Sequence, residues 1–167
     1  SALITHNHQS FPTFPKYLKQ NGYLTSCIGK VSHYPAGHYG TGWNDPDKVE
    51  LPASWERLPD CSAEWKTPQG LMHGYAKGVG RQRGSSPALE AVAAQRYPDD
   101  AITDTFVKEF NYLTNQEKPW LCAVGLLRPH LPLACPKEFL DLYKNTELPP
   151  IPAEKKPLGR AYWHGSD

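Results

Sequence analysis

The feature that most constrains this chain is an apolar run, WLCAVGLL at 120–127, which gives way abruptly to RPHLP at 128–132. A run this short, with no polar interruption, is typical of a strand buried on both faces in a parallel sheet. Periodicity alone leaves a buried helix segment open as an alternative, but Pro119 and Pro129 flank the run and leave little room for one. We therefore predict a strand at 120–127 in an α/β fold.

A second strand is predicted at 23–29 (YLTSCIG), and a basic loop follows it as well. Lys30 and His33 come directly after this strand, as His130 comes after the run at 120–127. If the strands are parallel, both loops leave the same edge of the sheet, which is where ligands bind in open α/β sheets. A lysine such as Lys30 is usually solvated when taken alone, but the three residues together favour a site.

Two helices are predicted before the long helix of the chain. Thr13 is expected to be the N-cap of a short amphipathic helix that stops before Gly22. The apolar face of this helix would consist of Phe14, Tyr17 and Leu18. The segment 87–95 (PALEAVAAQ) has strong helix propensity and is also predicted as a helix.

The longest predicted helix leads into the strand at 120–127. Asp100 is expected to be its N-cap, and the helix should run to about Asn115. Its apolar stripe would consist of Ile102, Phe106, Phe110 and Leu113. A helix directly before a buried strand is typical of a parallel crossover unit. Pro136 is predicted to start another short helix.

Composition excludes some classes of function. The 167 residues are enough for one domain, and the formal net charge of +1 does not favour a nucleic-acid or membrane partner. No run approaches the roughly 18 apolar residues of a membrane span, and no signal-peptide pattern opens the sequence. Seventeen prolines, about twice the average usage of roughly 5%, indicate much ordered loop. A loop as long as 34–98 is unusual in a compact domain and is normally functional or partly disordered. Within this loop Trp43, Trp55 and Trp65 are expected to pack on other parts of the protein.

The histidines and cysteines give weak signals outside the strand exits. His6 and His8 alternate as metal ligands can, but solvated side chains are the simpler interpretation near a terminus. The four cysteines show no C-x-x-C pair and no zinc spacing. Cys27 and Cys122 fall in predicted strands, where a thiol behaves as a small hydrophobe, and this interpretation is favoured over a disulfide. The redox compartment stays undetermined.

Three segments of the chain, 11–33, 97–113 and 119–143, resemble the sulfatase family, nearest to its iduronate-2-sulfatase branch. The resemblance lies in a strand followed by G-K-x-x-H and a later strand followed by P-H-x-P, in that order. Residues 34–97 resemble the family poorly.

The resemblance implies an alkaline-phosphatase-like α/β fold that hydrolyses sulfate esters with a formylglycine nucleophile and a calcium ion. Lys30 would hold the sulfate and the oxygen of the nucleophile. His33 would contact the formylglycine hydrate and help to expel sulfate, and His130 would bind a sulfate oxygen and assist protonation of the leaving alcohol. The substrate would be a sulfated small molecule or glycan, and exported or lysosomal compartments are usual for the family.

The chain also departs from the family pattern. It contains no C-x-P-S-R or C-x-A-S-R, no serine version of that motif, and none of the family's acidic metal-ligand motifs. We therefore expect residues 1–167 to be the central, incomplete part of a sulfatase catalytic domain, with no metal ligands, no bound cofactor and no activity by itself. Two alternatives stay open: a non-catalytic anion-binding or interaction module, and a metallohydrolase that uses His33, His130 and a carboxylate such as Asp45.

Overall fold

The framework of the protein is a pair of parallel strands, β1 (Leu24–Gly29) and β3 (Trp120–Gly125), as the sequence predicts. The structure is a computed structural model that describes residues 12–33, 51, 53–78, 90–92, 96–130 and 133–150. The two strands pair in register from Leu24 opposite Trp120 to Gly29 opposite Gly125. The α/β architecture with parallel strands and flanking helices is confirmed.

Strand β1 has backbone neighbours on both of its edges. Besides β3, it pairs with the segment around Arg57 through a parallel bridge at Ser26. The Arg57 N–H donates to the Thr25 carbonyl at 3.0 Å, and the Cys27 N–H donates to the Arg57 carbonyl at 3.1 Å. All six residues of β1 are consequently buried.

Strand β3 is less buried than its sequence predicts. Five of its residues are half-buried and Val124 is 39% exposed, so the prediction of a strand buried on both faces is wrong. Within the described residues, β1 is the strand that pairs with β3, and the other edge of β3 has no strand against it. The strand also ends at Gly125, two residues before the predicted end at 127.

The first helix, α1 (Phe14–Gln20), confirms the predicted Thr13 cap but not the predicted apolar face. The Thr13 hydroxyl accepts from the Lys16 N–H at 3.3 Å. Phe14 and Tyr17 are nonetheless 67% and 59% exposed. Polar contacts tie the helix to the segment beside β1, because the Lys19 ammonium donates to the Trp55 carbonyl at 2.9 Å.

The long helix, α3 (Pro98–Thr114), begins three residues earlier than predicted. Tyr97 is its N-cap, so the assignment of that role to Asp100 is wrong. Asp100 lies in the first turn, where its carboxylate accepts from the Tyr97 N–H at 2.7 Å. A carboxylate here is favoured by the positive end of the helix dipole.

The apolar stripe of α3 is buried at its two ends. Ile102 and Leu113 are fully buried, and Phe106 packs against the core. Phe110 is partly exposed, but its ring meets that of Trp120 edge-on with centroids 5.8 Å apart. The stripe therefore joins the helix to both strands, as its spacing predicts.

The predicted helix at 87–95 is wrong over 90–92, where the backbone forms strand β2 (Glu90–Val92). Pairing with β4 (Ala134–Pro136) overrides the helix propensity of this short segment. Residues 87–89 and 93–95 lie outside the described residues. The short helix predicted at Pro136 is present as α4 (Lys137–Asp141), with Pro136 at its N-cap.

The described part of the long loop contains structure that the sequence did not predict. It holds 3-10 turns at Ala63–Trp65 and Ala76–Gly78 and a short helix, α2 (Pro68–Met72). Trp55 and Trp65 are buried, as predicted, and Trp43 lies outside the described residues. The largest core cluster gathers side chains from β1, the loop, α3 and the end of β3, namely Ile28, Cys61, Trp65, Leu71, Met72, Ala101, Ile102 and Leu127.

Free cysteines and the absence of a membrane-spanning helix were also predicted from the sequence. No disulfide joins the four cysteines; Cys27 is buried, and Cys122 is only partly buried. No helix in these ranges is long and apolar enough to span a membrane.

Candidate functional site

The two strands end side by side, at a point where only glycine fits. The Lys30 N–H donates to the Gly125 carbonyl at 2.7 Å, which extends the ladder one step past Gly29. A β-carbon on Gly125 would overlap the Lys30 carbonyl oxygen. Gly29 has a φ of +69°, a left-handed conformation that favours glycine. The two glycines thus allow the loops bearing Lys30 and His130 to begin in direct backbone contact.

The first loop carries the two predicted site residues Lys30 and His33, both of which are half-buried. The Lys30 ammonium lies 3.5 Å from the Ser32 carbonyl, at the limit of a hydrogen bond. The side chain thus stays close to its own loop at the carboxyl end of β1.

The second loop forms a tight turn over residues 127–130, called the His130 turn below. Its start is fixed by Leu127, which is 2% exposed and belongs to the core. The His130 N–H donates back to the Leu127 carbonyl at 2.9 Å. The His130 ring is half-buried and meets the His73 ring edge-on, with centroids 6.1 Å apart.

The Arg128 side chain turns back onto the protein. One guanidinium nitrogen donates to the His130 carbonyl at 2.9 Å, and the other donates to the Gly74 carbonyl at 2.5 Å. These bonds fasten the His130 turn to the segment around His73. Arg128 is therefore held by backbone acceptors rather than presented as a solvated cation.

A carboxylate from α3 holds the other side of the His130 turn. Asp99 accepts from the Leu127 N–H at 2.7 Å and from the Arg128 N–H at 3.2 Å. Sequence reasoning missed both Asp99 and His73. Asp99 carried one usable signal, since two consecutive acids begin this helix and helix capping requires only one of them.

The structure brings the loops of Lys30, His33 and His130 to one edge, because the parallel strands β1 and β3 end together. That arrangement confirms the predicted topology. The roles of the three side chains in binding and catalysis stay predictions.

The strongest electrostatic feature is an ion pair against the middle of β1, away from the strand ends. Glu109 is 4% exposed and accepts from Arg57 at 2.6 and 2.9 Å and from the Ser26 hydroxyl at 2.9 Å. The bonds from Arg57 lower the pKa of Glu109 and raise that of Arg57. The Arg57 guanidinium also lies over the Tyr112 ring, 3.9 Å from its centroid. This network joins the loop, β1 and α3, and its role is structural.

Neither of the two thiols with a shifted pKa is activated as a nucleophile. Burial raises the pKa of Cys61 to about 11, so its thiol stays protonated at neutral pH. Burial, reinforced by the nearby Glu109 carboxylate, also raises the pKa of Cys122.

The described ranges contain no cluster of three or more His, Cys, Asp or Glu side chains that could hold a metal ion. Calcium takes six to eight oxygen ligands. Three of the ligands weighed from the sequence, His6, His8 and Asp45, lie outside those ranges.

Comparison with known proteins gives one consistent result. Residues 2–154 match the family model described as Sulfatase. The chain is 28% identical over 150 residues to iduronate 2-sulfatase of Mus musculus, covering 86% of this chain and 25% of that protein. It is 26% identical over 147 residues to a sulfatase of Formosa agariphila, covering 84% of this chain and 26% of that one. It is 24% identical over 144 residues to choline-sulfatase of Rhizobium meliloti, covering 83% and 27%. The chain thus spans about a quarter of the length of these relatives.

Proposed function

This chain belongs to the sulfatase family, and we propose that it is the central segment of a sulfatase catalytic domain, contributing the sulfate-binding and acid–base residues of the site. Membership implies the alkaline-phosphatase-like α/β fold, to which the parallel strands and flanking helices belong. The observation that carries the proposal is the in-register pairing of β1 with β3, which starts the Lys30 and His130 loops at one sheet edge.

The proposed roles follow from the chemistry of sulfate-ester cleavage. Charge on the non-bridging oxygens requires fixed cations, and the departing alkoxide requires a proton. Lys30 would hold the sulfate group. His130 would bind a sulfate oxygen and donate a proton to the leaving oxygen, and His33 would assist release of sulfate from the nucleophile.

The chain by itself is proposed to be inactive. The family generally depends on formylglycine and calcium, and this sequence has no formylglycine motif. Within the described residues, no three His, Cys, Asp or Glu side chains come together where they could hold a metal ion. Both groups would belong to parts of the catalytic domain other than those described.

The proposed substrate is a sulfuric ester of a small molecule or glycan. The relatives carry names as different as iduronate 2-sulfatase and choline-sulfatase, so the names support the ester and not one alcohol. Bulk charge of +1 gives no support for a nucleic-acid partner.

A second candidate is a non-catalytic module that keeps the scaffold and binds anions. The missing formylglycine motif favours it, since the remaining residues could attract sulfate without cleaving its esters. A reading frame that continues upstream into C-x-P-S-R would favour the catalytic proposal over this one.

The test is His130→Ala in a complete sulfatase that contains this segment. Loss of a general acid should lower kcat for an alkyl or sugar sulfate by about 10² to 10⁴, and lower kcat for an activated aryl sulfate by about tenfold or less. Lys30→Ala is the matched control, because weaker sulfate binding should impair both esters equally. Equal losses on both esters for His130→Ala would argue that His130 only binds sulfate.

The isolated 167-residue chain provides a second test. We expect no turnover of either ester and no stoichiometric binding of calcium by calorimetry. Turnover by this chain would overturn the proposal that it is only part of a site.

A further inference from the structure

The His130 turn has every backbone N–H bonded, and one side chain supplies most of the acceptors. Pro129 has no N–H, so the turn contains three such groups, those of Leu127, Arg128 and His130. The first two donate to Asp99, and the third donates to the Leu127 carbonyl. Asp99 is therefore the group outside the turn that fixes where its backbone begins.

The other end of the turn is held independently of Asp99. Arg128 joins the His130 carbonyl to the Gly74 carbonyl. Gly74 lies tightly against Trp65, whose indole N–H donates to the Tyr75 carbonyl at 2.9 Å. The turn is thus anchored on α3 at its start and on the 73–75 segment at its end.

Two neighbouring carboxylates in the first turn of α3 accept hydrogen bonds from different parts of the backbone. Asp100 accepts from the N–H of the N-cap residue Tyr97 and so completes the capping box of its own helix. The Asp99 carboxylate is directed away from its helix to the backbone of the His130 turn. A carboxylate that accepts two N–H bonds forms stronger hydrogen bonds than neutral acceptors do.

We propose that Asp99 is a positioning residue for His130, because it fixes the backbone on which the imidazole is carried. The inference deepens the proposed function, in which His130 protonates the leaving group. Asp99 itself would touch neither substrate nor reacting atoms. A small displacement of an acid from the leaving oxygen is enough to slow a proton transfer.

The first experiment tests whether Asp99 holds the backbone of the His130 turn, and it requires no catalytic activity. Amide hydrogen exchange is measured by NMR on this chain for wild type, Asp99→Asn and Asp100→Asn. Asparagine keeps one oxygen but places an NH₂ group against an N–H donor. We expect Asp99→Asn to speed exchange of the Leu127 and Arg128 amides by about tenfold or more, and Asp100→Asn to speed exchange of the Tyr97 amide instead.

The second experiment measures the effect of Asp99→Asn on catalysis in a complete sulfatase that contains this segment. Asp99→Asn should lower kcat for an alkyl sulfate by about tenfold with little change in KM, and affect an aryl sulfate less. In a His130→Ala background the same substitution should cause no further loss, because its effect passes through His130. Asp100→Asn, which only weakens the helix start, should show no dependence on the leaving group.

The outcomes separate the two proposals. Unchanged exchange at Leu127 and Arg128, or an Asp99→Asn loss that persists in the His130→Ala background, would overturn the positioning role. Faster exchange at those amides, together with equal His130→Ala losses on alkyl and aryl esters, would uphold the positioning role and overturn the acid role of His130.

Discussion

Strands β1 and β3 are equal in length, lie side by side in register and both end at glycine, yet they differ in burial. β1 contains Thr25 and Ser26 and is buried throughout. β3 has the more apolar sequence, WLCAVG, and is only half-buried. The difference shows that apolar content does not rank the burial of two neighbouring strands.

Neighbours account for the difference. β1 has β3 on one edge and the segment around Arg57 on the other, and helix α1 also packs against it, whereas α3 packs against both strands. Its buried hydroxyls are bonded, Thr25 to the Ser54 carbonyl at 2.8 Å and Ser26 to Glu109. A buried polar group costs little free energy when it is bonded in this way. In the described residues β3 has one strand neighbour, so its apolar side chains remain partly exposed.

The largest expected effect comes from register partners on the two strands, Ile28 and Val124. Ile28→Ala removes a fully buried side chain from the core and should lower the free energy of unfolding by about 2 to 5 kcal/mol. Val124→Ala, at a position 39% exposed, should lower it by less than about 1 kcal/mol. Urea unfolding of the two variants measures the difference, and equal losses would mean that both strands are equally buried in solution.

The next effect concerns the point where the strands meet. Gly125→Ala would place a methyl group against the Lys30 carbonyl and should lower the free energy of unfolding by about 1 to 3 kcal/mol. It should also speed exchange of the Lys30 amide, which donates to Gly125.

Gly22→Ala is the control for this substitution. Gly22 has a φ of +86° but open space around it, so alanine there strains the backbone without touching the strands. It should leave the exchange of the Lys30 amide unchanged. Unchanged exchange in Gly125→Ala as well would contradict close contact between the strand ends.

The smallest effect concerns the ion pair that covers β1. The pKa of Glu109 is lowered by Arg57, so the pair stabilises the fold above the unfolded carboxyl pKa of about 4.5 and loses this stabilisation as pH falls through the folded pKa. Glu109→Gln should therefore lower the free energy of unfolding at pH 7, by about 1 to 2 kcal/mol. The loss is no larger because Arg57 is one-third exposed, so that solvent screens the ion pair.

The difference in the free energy of unfolding between wild type and Glu109→Gln should shrink as the pH falls below about 4.5. Urea unfolding at pH 7, 5 and 3 measures this trend. A difference that is the same at all three pH values would show that the charge of Glu109 does not stabilise the fold. Glu117→Gln, at an exposed position after α3, is a control expected to change little at any of them.

The sequence by itself determined the parallel α/β framework and the placement of the two loops. The segments 23–29 and 120–127 identify β1 and β3, and parallel pairing brings the loops of Lys30, His33 and His130 to one edge. The stripe of Ile102 and Leu113 likewise identified the long helix, because helical periodicity is a local property. A strand followed by G-K-x-x-H and a later strand followed by P-H-x-P indicated the sulfatase family, which the match to the family model confirmed.

Only the tertiary structure decided which strand is buried, which of two carboxylates bonds to the start of the long helix, and what holds His130. Asp99 and Asp100 are identical in side chain and adjacent in sequence, yet Asp100 bonds to the N-cap of its own helix and Asp99 holds a turn 28 residues away. Residues 90–92 favour helix locally and become a strand by pairing with β4. These outcomes depend on contacts between residues far apart in sequence, and neither local propensity nor periodicity carries information about such contacts.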